Sequence, residues 1–232
     1  MVIHGLQKLT LLDFPGHTAC TVFTARCNWR CPFCHNASLV LRPDSQPVID
    51  EDAFFSFLAK RRGLLDGVAV TGGEPTLNRD LGDFLARVKD MGFQTKLDTN
   101  GTHPDLLEEL LERRLVDYVA MDVKNSPEKY ALTCGVAQVD LDAIYRSIAL
   151  LTNRAPDYEF RTTVVKELHE ISDFTAIGKL IAGARRYFLQ CFTDRDSVPF
   201  GDLHAPSGED LRRFAGAARP FVPDTQIRGV DL

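Results

Sequence analysis

The sequence predicts an α/β fold, a partial (β/α)6 barrel that is similar to a TIM barrel and is built on a parallel sheet. Short apolar segments rich in β-branched residues alternate with amphipathic helix patterns, and this alternation is typical of parallel sheets with right-handed crossovers. Six strand–helix units can be counted, whereas a closed barrel needs eight. The 232 residues suit one domain. We therefore expect an open barrel with its chemistry at the carboxyl ends of the strands.

The predicted strands are short and begin after turn residues. The first follows the Pro15-Gly16 turn and is rich in β-branched residues. Each later strand is an apolar segment that a helix pattern separates from the next one. The strands are expected at residues 17–24, 67–71, 93–98, 118–123, 158–165 and 186–192.

The helices between the strands are marked by their ends as well as by their periodicity. Asp50 is a candidate N-cap, Gly92 a C-terminal stop, and Pro104 lies in the first turn of another helix. The helices are expected at residues 50–62, 81–91, 104–114, 141–151 and 174–182. The single domain then divides into a lead-in segment, a barrel core and a C-terminal extension, at residues 1–16, 17–192 and 193–232.

Composition argues against several classes of function. The formal net charge of −5 argues against a nucleic-acid binder that relies on phosphate contacts. No apolar run approaches the roughly 20 residues that span a bilayer, and residues 1–5 lack the basic and apolar regions of a secretory signal. We therefore expect a cytoplasmic protein without membrane or nucleic-acid partners. Six cysteines in such a chain indicate metal or redox chemistry.

Three cysteines directly after the first strand form the most informative motif. Cys27, Cys31 and Cys34 have the spacing C-x3-C-x2-C, and a tight loop of this kind can turn three thiolates toward one point. Iron–sulfur clusters are usually held by four cysteines, so three ligands would leave one iron of a cubane cluster open. An open coordination position is what a catalytic metal site keeps for its substrate.

Two other uses of clustered cysteines are open at this point. A structural zinc site with His35 as its fourth ligand would make the protein a zinc-stabilised binding module without catalysis. Such sites usually pair two C-x2-C knuckles, and the sequence has no second knuckle. A disulfide framework belongs to small secreted scaffolds, whereas this chain is longer and has no evident signal peptide. The spacing favours the cluster.

Polar residues follow the next three strands as well. Residues 71–75 (TGGEP), 98–101 (DTNG) and 122–124 (DVK) each come at a strand end. Because the carboxyl ends of parallel strands meet at one rim, we expect these segments to surround the cysteine loop. Gly72 and Gly73 would leave backbone groups open to the close approach of a small ligand.

Asp98 and Asp122 end neighbouring strands in this prediction. Two carboxylates so close together repel each other unless a cation or a proton is shared. One interpretation is a pair that binds a monovalent or divalent cation, because hard cations favour clustered oxygen ligands. The other interpretation is two strand-end aspartates that cap the turns after them.

The cysteine motif, with the aromatic Phe33 just before the last cysteine, resembles the signature of the radical S-adenosylmethionine (SAM) enzymes. The resemblance implies one [4Fe-4S] cluster on the three cysteines and SAM at its open iron, with Phe33 near the adenine. It implies that Gly72, Gly73 and Glu74 hold the methionine amino group. The other SAM-binding candidates are Asp98, Asp122, Lys124 and Arg161. The last two could equally meet a protein substrate or solvent.

Further segments narrow the resemblance within that superfamily. The chain is similar to the activating protein of anaerobic ribonucleoside-triphosphate reductase, in its longer form, over residues 5–16, 31–36, 98–101, 122–124 and 227–230. The similarity thus extends over nearly the whole chain. One residue departs from the pattern, because such proteins often have glycine before the first cluster cysteine and this chain has Arg26.

This resemblance implies an activase. Reductive cleavage of SAM would give methionine and a 5′-deoxyadenosyl radical, which takes a hydrogen from the α-carbon of one glycine in a partner protein. The implied partners are the reductase large subunit and a low-potential electron donor such as flavodoxin or ferredoxin. Asp13 is either a contact for the glycine loop or a turn aspartate before Phe14. The alternatives are an activase of the formate-lyase type and a radical enzyme that acts on a small molecule.

Overall fold

The computed structural model describes residues 1–195, 198–199 and 201–230, and its centre is one eight-stranded sheet. The strands lie side by side in chain order. They are β1 (Gly5–Thr10), β2 (Ala19–Thr24), β3 (Gly67–Gly72), β4 (Gln94–Thr99), β5 (Tyr118–Asp122), β6 (Tyr158–Val164), β7 (Tyr187–Cys191) and β8 (Thr225–Arg228). β1 pairs antiparallel with β2, and every later pair is parallel. The sheet is an open, partial barrel, as predicted.

Helices connect the parallel strands. They are α1 (Ala37–Leu41), α2 (Glu51–Ala59), α3 (Leu81–Asp90), α4 (Pro104–Glu112), α5 (Tyr130–Cys134), α6 (Leu141–Arg154), α7 (Ile171–Leu180) and α8 (Gly208–Ala218). The predicted end signals act as expected: the Asp50 carboxylate accepts from the Ala53 amide at 2.9 Å, and Gly92 follows α3 with a φ of 88°. Pro104 is the first residue of α4.

The six predicted strands are confirmed, and two edge strands were missed. β1 lies in the predicted lead-in segment, and β8 lies in the predicted C-terminal extension. β1 carries exposed polar residues on an edge, and β8 has only four residues. Neither gives the apolar signal of a central strand, although both join the same sheet as the barrel core. The short helices α1 and α5 were missed for a similar reason, since five residues show no helical period.

The two faces of the central strands differ in polarity. On β4 and β5, Leu97, Val119 and Met121 belong to the main hydrophobic core beneath the helices. The residues that alternate with them, such as Lys96 and Asp122, lie on the opposite face of the sheet. The inner surface of the barrel is therefore partly charged, and this surface leads to the carboxyl ends of the strands.

A small apolar group fills the opposite end of the barrel. Phe14, Ala19, Tyr118 and Ala120 are all buried and contact one another. Phe14 comes from the connection between β1 and β2, so the lead-in segment closes the barrel where the parallel strands begin. None of the helices in the described residues is long and apolar enough to cross a membrane.

We predict that Leu97→Ala destabilises the protein, because Leu97 is fully buried on the central strand β4. Cavity formation should lower the free energy of unfolding by about 2–5 kcal/mol. The matched control is Leu64→Ala, whose side chain is 64% exposed, and it should change stability by less than about 0.5 kcal/mol. Urea denaturation followed by circular dichroism measures both. Equal effects would contradict the assignment of Leu97 to the core.

Candidate active site

One cavity at the carboxyl ends of the strands collects nearly all of the predicted site residues. They come from the loop after β2, from the end of β3 and the loop after it, from the ends of β4 and β5 and, for Arg161, from the middle of β6. The predicted residues that line it are Cys27, Cys31, Phe33, Cys34, Gly72, Gly73, Glu74, Asp98, Asp122, Lys124 and Arg161. Asp13 does not line it. The parallel topology thus brings together residues that are up to 134 positions apart, the separation of Cys27 and Arg161.

The cysteine loop is held to the barrel by its own backbone. The Arg30 amide donates to the Cys134 carbonyl at 2.9 Å, and the Arg30 guanidinium donates to the Cys27 carbonyl at 2.6 Å. Trp29 is buried against Tyr130 of α5, with ring centroids 5.8 Å apart. The missed helix α5 therefore supports the loop from outside the cavity.

The three cysteines fit an iron–sulfur cluster better than a zinc ion. All three thiols are free, partly buried and exposed to the same cavity. Within the described ranges, no three His, Cys, Asp or Glu side chains gather around a single metal ion, as tetrahedral zinc would require. A cubane cluster binds each thiolate at a different iron, so its ligands surround a larger group than a single metal ion. The donor set therefore matches the predicted cluster.

His35 is held in place at the end of the cysteine loop. Its Nε2 lies 2.8 Å from the Thr193 carbonyl oxygen, and its ring stacks on Phe192 with centroids 5.7 Å apart. These contacts order the end of the cysteine loop against the segment after β7.

Burial and hydrogen bonding give the cysteine thiols different acidities. Burial raises the pKa of Cys27 to about 12, although the Trp29 amide opposes this shift. A hydrogen bond from the Cys134 thiol lowers the pKa of Cys31 to about 7, against the effect of burial. Metal ligands are thiolates, so loading the site must release protons, most of all from Cys27.

Close packing of the protein backbone requires glycine at positions 72 and 73 more directly than the approach of a ligand does. A β-carbon on Gly72 would overlap the backbone of Thr24, and one on Gly73 would overlap the Arg26 carbonyl. Gly72 also has a φ of 122°, which favours glycine. The sequence prediction explained both glycines by ligand approach. The structure shows that they let the cysteine loop pack against β3, while both still line the cavity.

The backbone conformation of Arg26 accounts for the glycine that similar proteins often have at this position. Its φ is 67°, in the left-handed region where glycine is favoured and arginine is uncommon. The amide of Glu74 donates to the Arg26 carbonyl at 2.8 Å, which fixes this backbone next to the glycine motif. The Arg26 side chain is 70% exposed and pairs with the exposed Asp44 at 2.9 Å.

Glu74 is a buried structural carboxylate. Three residues donate hydrogen bonds to its side chain. Oε1 accepts from the Thr76 hydroxyl at 2.6 Å and from the Thr99 hydroxyl at 2.8 Å, and Oε2 accepts from the Asn100 amide at 2.7 Å. Burial raises its pKa, and these hydrogen bonds oppose the rise. The carboxylate therefore ties the glycine motif to the end of β4. Its role toward the SAM amino group stays a prediction.

A cationic side chain lies between Asp98 and Asp122, where the sequence predicts either a bound cation or two turn-capping aspartates. The Arg161 guanidinium lies 3.1 Å from Asp98 Oδ2 and 2.5 Å from Asp122 Oδ1. Lys96 pairs with Asp98, and Lys124 pairs with Asp122 at 2.8 Å. Burial would raise the pKa of both carboxyls, but the nearby cations lower it. Three side-chain cations thus surround the two carboxylates, and the binding of a metal cation there stays a prediction.

Phe33 both packs and faces the cavity. It is buried with Val165 and Phe192, and the Lys124 ammonium lies 5.7 Å from its ring centroid. Asp13, by contrast, is a turn residue. It accepts from the Thr21 hydroxyl at 2.6 Å, away from the lining of the cavity, so the structure favours the turn interpretation over a substrate contact.

The structure adds lining residues that were not predicted. Asn36 donates to the Gly72 carbonyl at 2.8 Å and so fixes the glycine motif. Thr163 and Gln190 face each other in register on β6 and β7, and the two-residue period of these strands could have found them. Trp29 and Val40 were also not predicted, whereas Thr71, Thr99 and Asn100 belong to the strand-end segments expected at this rim, and His35 follows the last cysteine.

Comparison with known proteins identifies the family. The model of the radical SAM superfamily matches residues 21–177. A Methanocaldococcus jannaschii protein, named a "putative glycyl-radical enzyme activating enzyme", is 31% identical over 239 residues, which cover 99% of this chain and 97% of that protein. The pyruvate formate-lyase-activating enzyme of Listeria monocytogenes is 31% identical over 140 residues, 55% of each chain.

The fold has known counterparts as well. Streptococcus suis SuiB bound to the precursor peptide SuiA superimposes with a TM-score of 0.67 at 12% identity, covering 90% of this chain and 48% of that one. At this identity the likeness concerns the fold alone.

The chain belongs to the radical SAM superfamily. Within it, the chain belongs with the glycyl-radical enzyme activating enzymes, because a relative of nearly equal length carries that name. The predictions of a radical SAM enzyme, of its [4Fe-4S] cluster and of SAM are confirmed. The alternative of a zinc-stabilised binding module is wrong.

We predict that Arg161→Met lowers the free energy of unfolding by about 3–5 kcal/mol at pH 7, because it leaves two partly buried carboxylates without their shared partner. Arg146→Met, which breaks the exposed Arg146–Asp105 pair, is the control and should change stability by about 0–1 kcal/mol. Urea denaturation measures both.

The pH dependence separates the ionic effect from lost packing. The pKa values of Asp98 and Asp122 are lowered in the folded protein, so their stabilisation is present above the unfolded pKa and is lost as the pH falls. The gap between wild type and Arg161→Met should therefore narrow between roughly pH 5 and pH 2. A gap that stays constant across this range would show that packing alone is lost.

Proposed function

We propose that this protein activates the large subunit of an anaerobic ribonucleoside-triphosphate reductase by generating a glycyl radical on it. One observation carries the proposal: three cluster-type cysteines, a glycine motif and a charged network line a single cavity at the rim of an open barrel. The family supports the activase reaction. The similarity over residues 5–16 and 227–230 supports this partner.

The residues of the cavity have separable tasks in this reaction. Cys27, Cys31 and Cys34 would hold the cluster, which when bound supplies the electron that cleaves SAM reductively to methionine and a 5′-deoxyadenosyl radical. Lys124 and Arg161 present positive charge at the rim and would bind the SAM carboxylate or the entering protein loop.

The surrounding residues orient and enclose the reactants. Asn36 and Glu74 fix the backbone of the glycine motif, where the SAM amino group would bind. Phe33, which packs on the buried Val165 and Phe192, lines one side of the cavity and would shield a reactive radical from water. The open side of the sheet leaves space for a glycine loop of the partner.

The electron must come from outside this chain. A low-potential carrier such as flavodoxin or ferredoxin is the proposed donor, since reductive cleavage consumes one electron for each SAM. An activase of the formate-lyase type is the second candidate function, and the Listeria relative favours it. That relative matches about half of this chain, whereas the relative that matches the full length is named only as an activating enzyme.

We expect a glycine-centred doublet in the electron paramagnetic resonance (EPR) spectrum when the reconstituted, reduced protein is mixed anaerobically with SAM and the reductase large subunit from the same source. The matched control is a large subunit whose radical-site glycine is replaced by alanine, which should give no doublet. SAM-dependent 5′-deoxyadenosine without a doublet would reject this partner and keep the radical enzyme. A doublet obtained only with a formate lyase would establish the second candidate.

The triple substitution Cys27→Ala, Cys31→Ala and Cys34→Ala should abolish bound iron and acid-labile sulfide and reduce 5′-deoxyadenosine formation to background. Cys20→Ala is the control, because Cys20 lies buried in β2 and should leave iron, sulfide and product unchanged. Metal analysis and chromatography of the product measure these outcomes. A triple variant that still forms 5′-deoxyadenosine would refute the cluster assignment.

A further inference from the structure

The sulfur of the first cluster cysteine lies within reach of two nitrogen donors. The Trp29 amide nitrogen is 3.4 Å from Cys27 Sγ, and the side-chain nitrogen Nδ2 of Asn100 is 3.9 Å from it. Trp29 is part of the same loop, so its contact follows from the local turn. Asn100 comes from the end of β4, 73 residues away in sequence, and its contact depends on the tertiary structure.

The orientation of the Asn100 amide is fixed by its neighbours. Its oxygen Oδ1 accepts from the Thr102 amide at 3.1 Å and from the Thr102 hydroxyl at 2.7 Å. A backbone N–H can only donate, so Oδ1 must face Thr102 and Nδ2 must face the cysteine loop. There Nδ2 also donates to Asn28 Oδ1 at 2.8 Å. The two hydrogens of Nδ2 therefore point at Asn28 and Cys27.

Asn100 also helps to hold the glycine motif in place. Its backbone amide donates to Glu74 Oε2 at 2.7 Å, and the residue as a whole is 5% exposed. Asn28 is held from the other side, because its Nδ2 donates to the Thr102 hydroxyl at 2.9 Å. One buried residue thus connects the first cluster cysteine with the buried carboxylate after the glycine motif.

We propose that Asn100 is a positioning residue that donates an N–H···S hydrogen bond to the Cys27 thiolate and thereby raises the reduction potential of the bound cluster. Reduction adds negative charge to the cluster and its sulfur ligands. A hydrogen bond to a sulfur stabilises that charge, and such bonds are among the factors that set cluster potentials. The proposal rests on the cluster site of the proposed function and is independent of the protein partner.

The test is an EPR-monitored redox titration of the reconstituted protein without SAM. Asn100→Leu keeps the approximate shape and removes the donor, so its cluster should have a more negative midpoint potential than the wild type. Asn100→Asp replaces the donor with a carboxylate oxygen near the thiolate and should shift the potential further in the same direction. The expected order is wild type, then Asn100→Leu, then Asn100→Asp. Asn153→Asp, on the exposed face of α6, is the control and should match the wild type.

Asn28→Ala is a second variant in case the Asn100 variants do not fold. Asn28 is exposed, so its loss should leave the fold intact while freeing the Asn100 amide from its anchor. The potential should again become more negative. An unchanged potential in Asn100→Leu with full iron and sulfide content, or in Asn28→Ala if Asn100→Leu does not fold, overturns the assignment of Asn100. A wild-type protein that takes up no iron and sulfide would instead overturn the cluster site, and the proposed function with it.

Discussion

The Arg161 guanidinium between Asp98 and Asp122 is the interaction on which the rim of the barrel depends. It joins the ends of β4, β5 and β6, and Asp122 pairs with Arg161 in the sheet register. Partly buried charges are expensive unless each is paired and hydrogen-bonded. A shift of β6 by one residue would turn Arg161 to the other face of the sheet and remove the partner that both carboxylates share. The charges that face the cavity therefore also help to specify the register of the strands that carry them.

Hydrogen bonds extend this order to the cysteine loop. Lys124, held by Asp122, lies over the ring of Phe33 within the cysteine motif. On the other side, Glu74 and Asn100 connect the glycine motif to Cys27. The loop therefore meets the barrel through neutral amides near its first cysteine and through an ammonium near its last. A radical enzyme needs this rigidity, because reacting groups must be held in place before a reactive species forms.

The sequence reveals the central parallel strands and the cavity lining because both follow from repeated local patterns. Six apolar strands and the motifs at their ends predict the topology. That topology brings lining residues as far apart in sequence as Cys27 and Arg161 to one cavity. Long-range contacts were not predictable in this way. Two neighbouring aspartates indicate a positively charged neighbour, but only the structure shows that Arg161 lies between them. Gly-Gly indicates the close approach of another group, which the sequence assigned to a ligand, and only the structure shows that the backbone of Thr24 and Arg26 approaches there. The edge strand β8 has too few residues to be recognised without its neighbour.

The Arg26 position shows that a sequence motif can reflect a required backbone conformation rather than a required residue type. The position before the first cysteine requires a left-handed backbone, and glycine is the residue that adopts it most easily. Here an arginine adopts it, with its long side chain directed into solvent. A search pattern written with a strict glycine at this position would reject this chain, although the model of the radical SAM superfamily matches it. Patterns for such loops should therefore specify the torsion angle and rank the residues that can reach it.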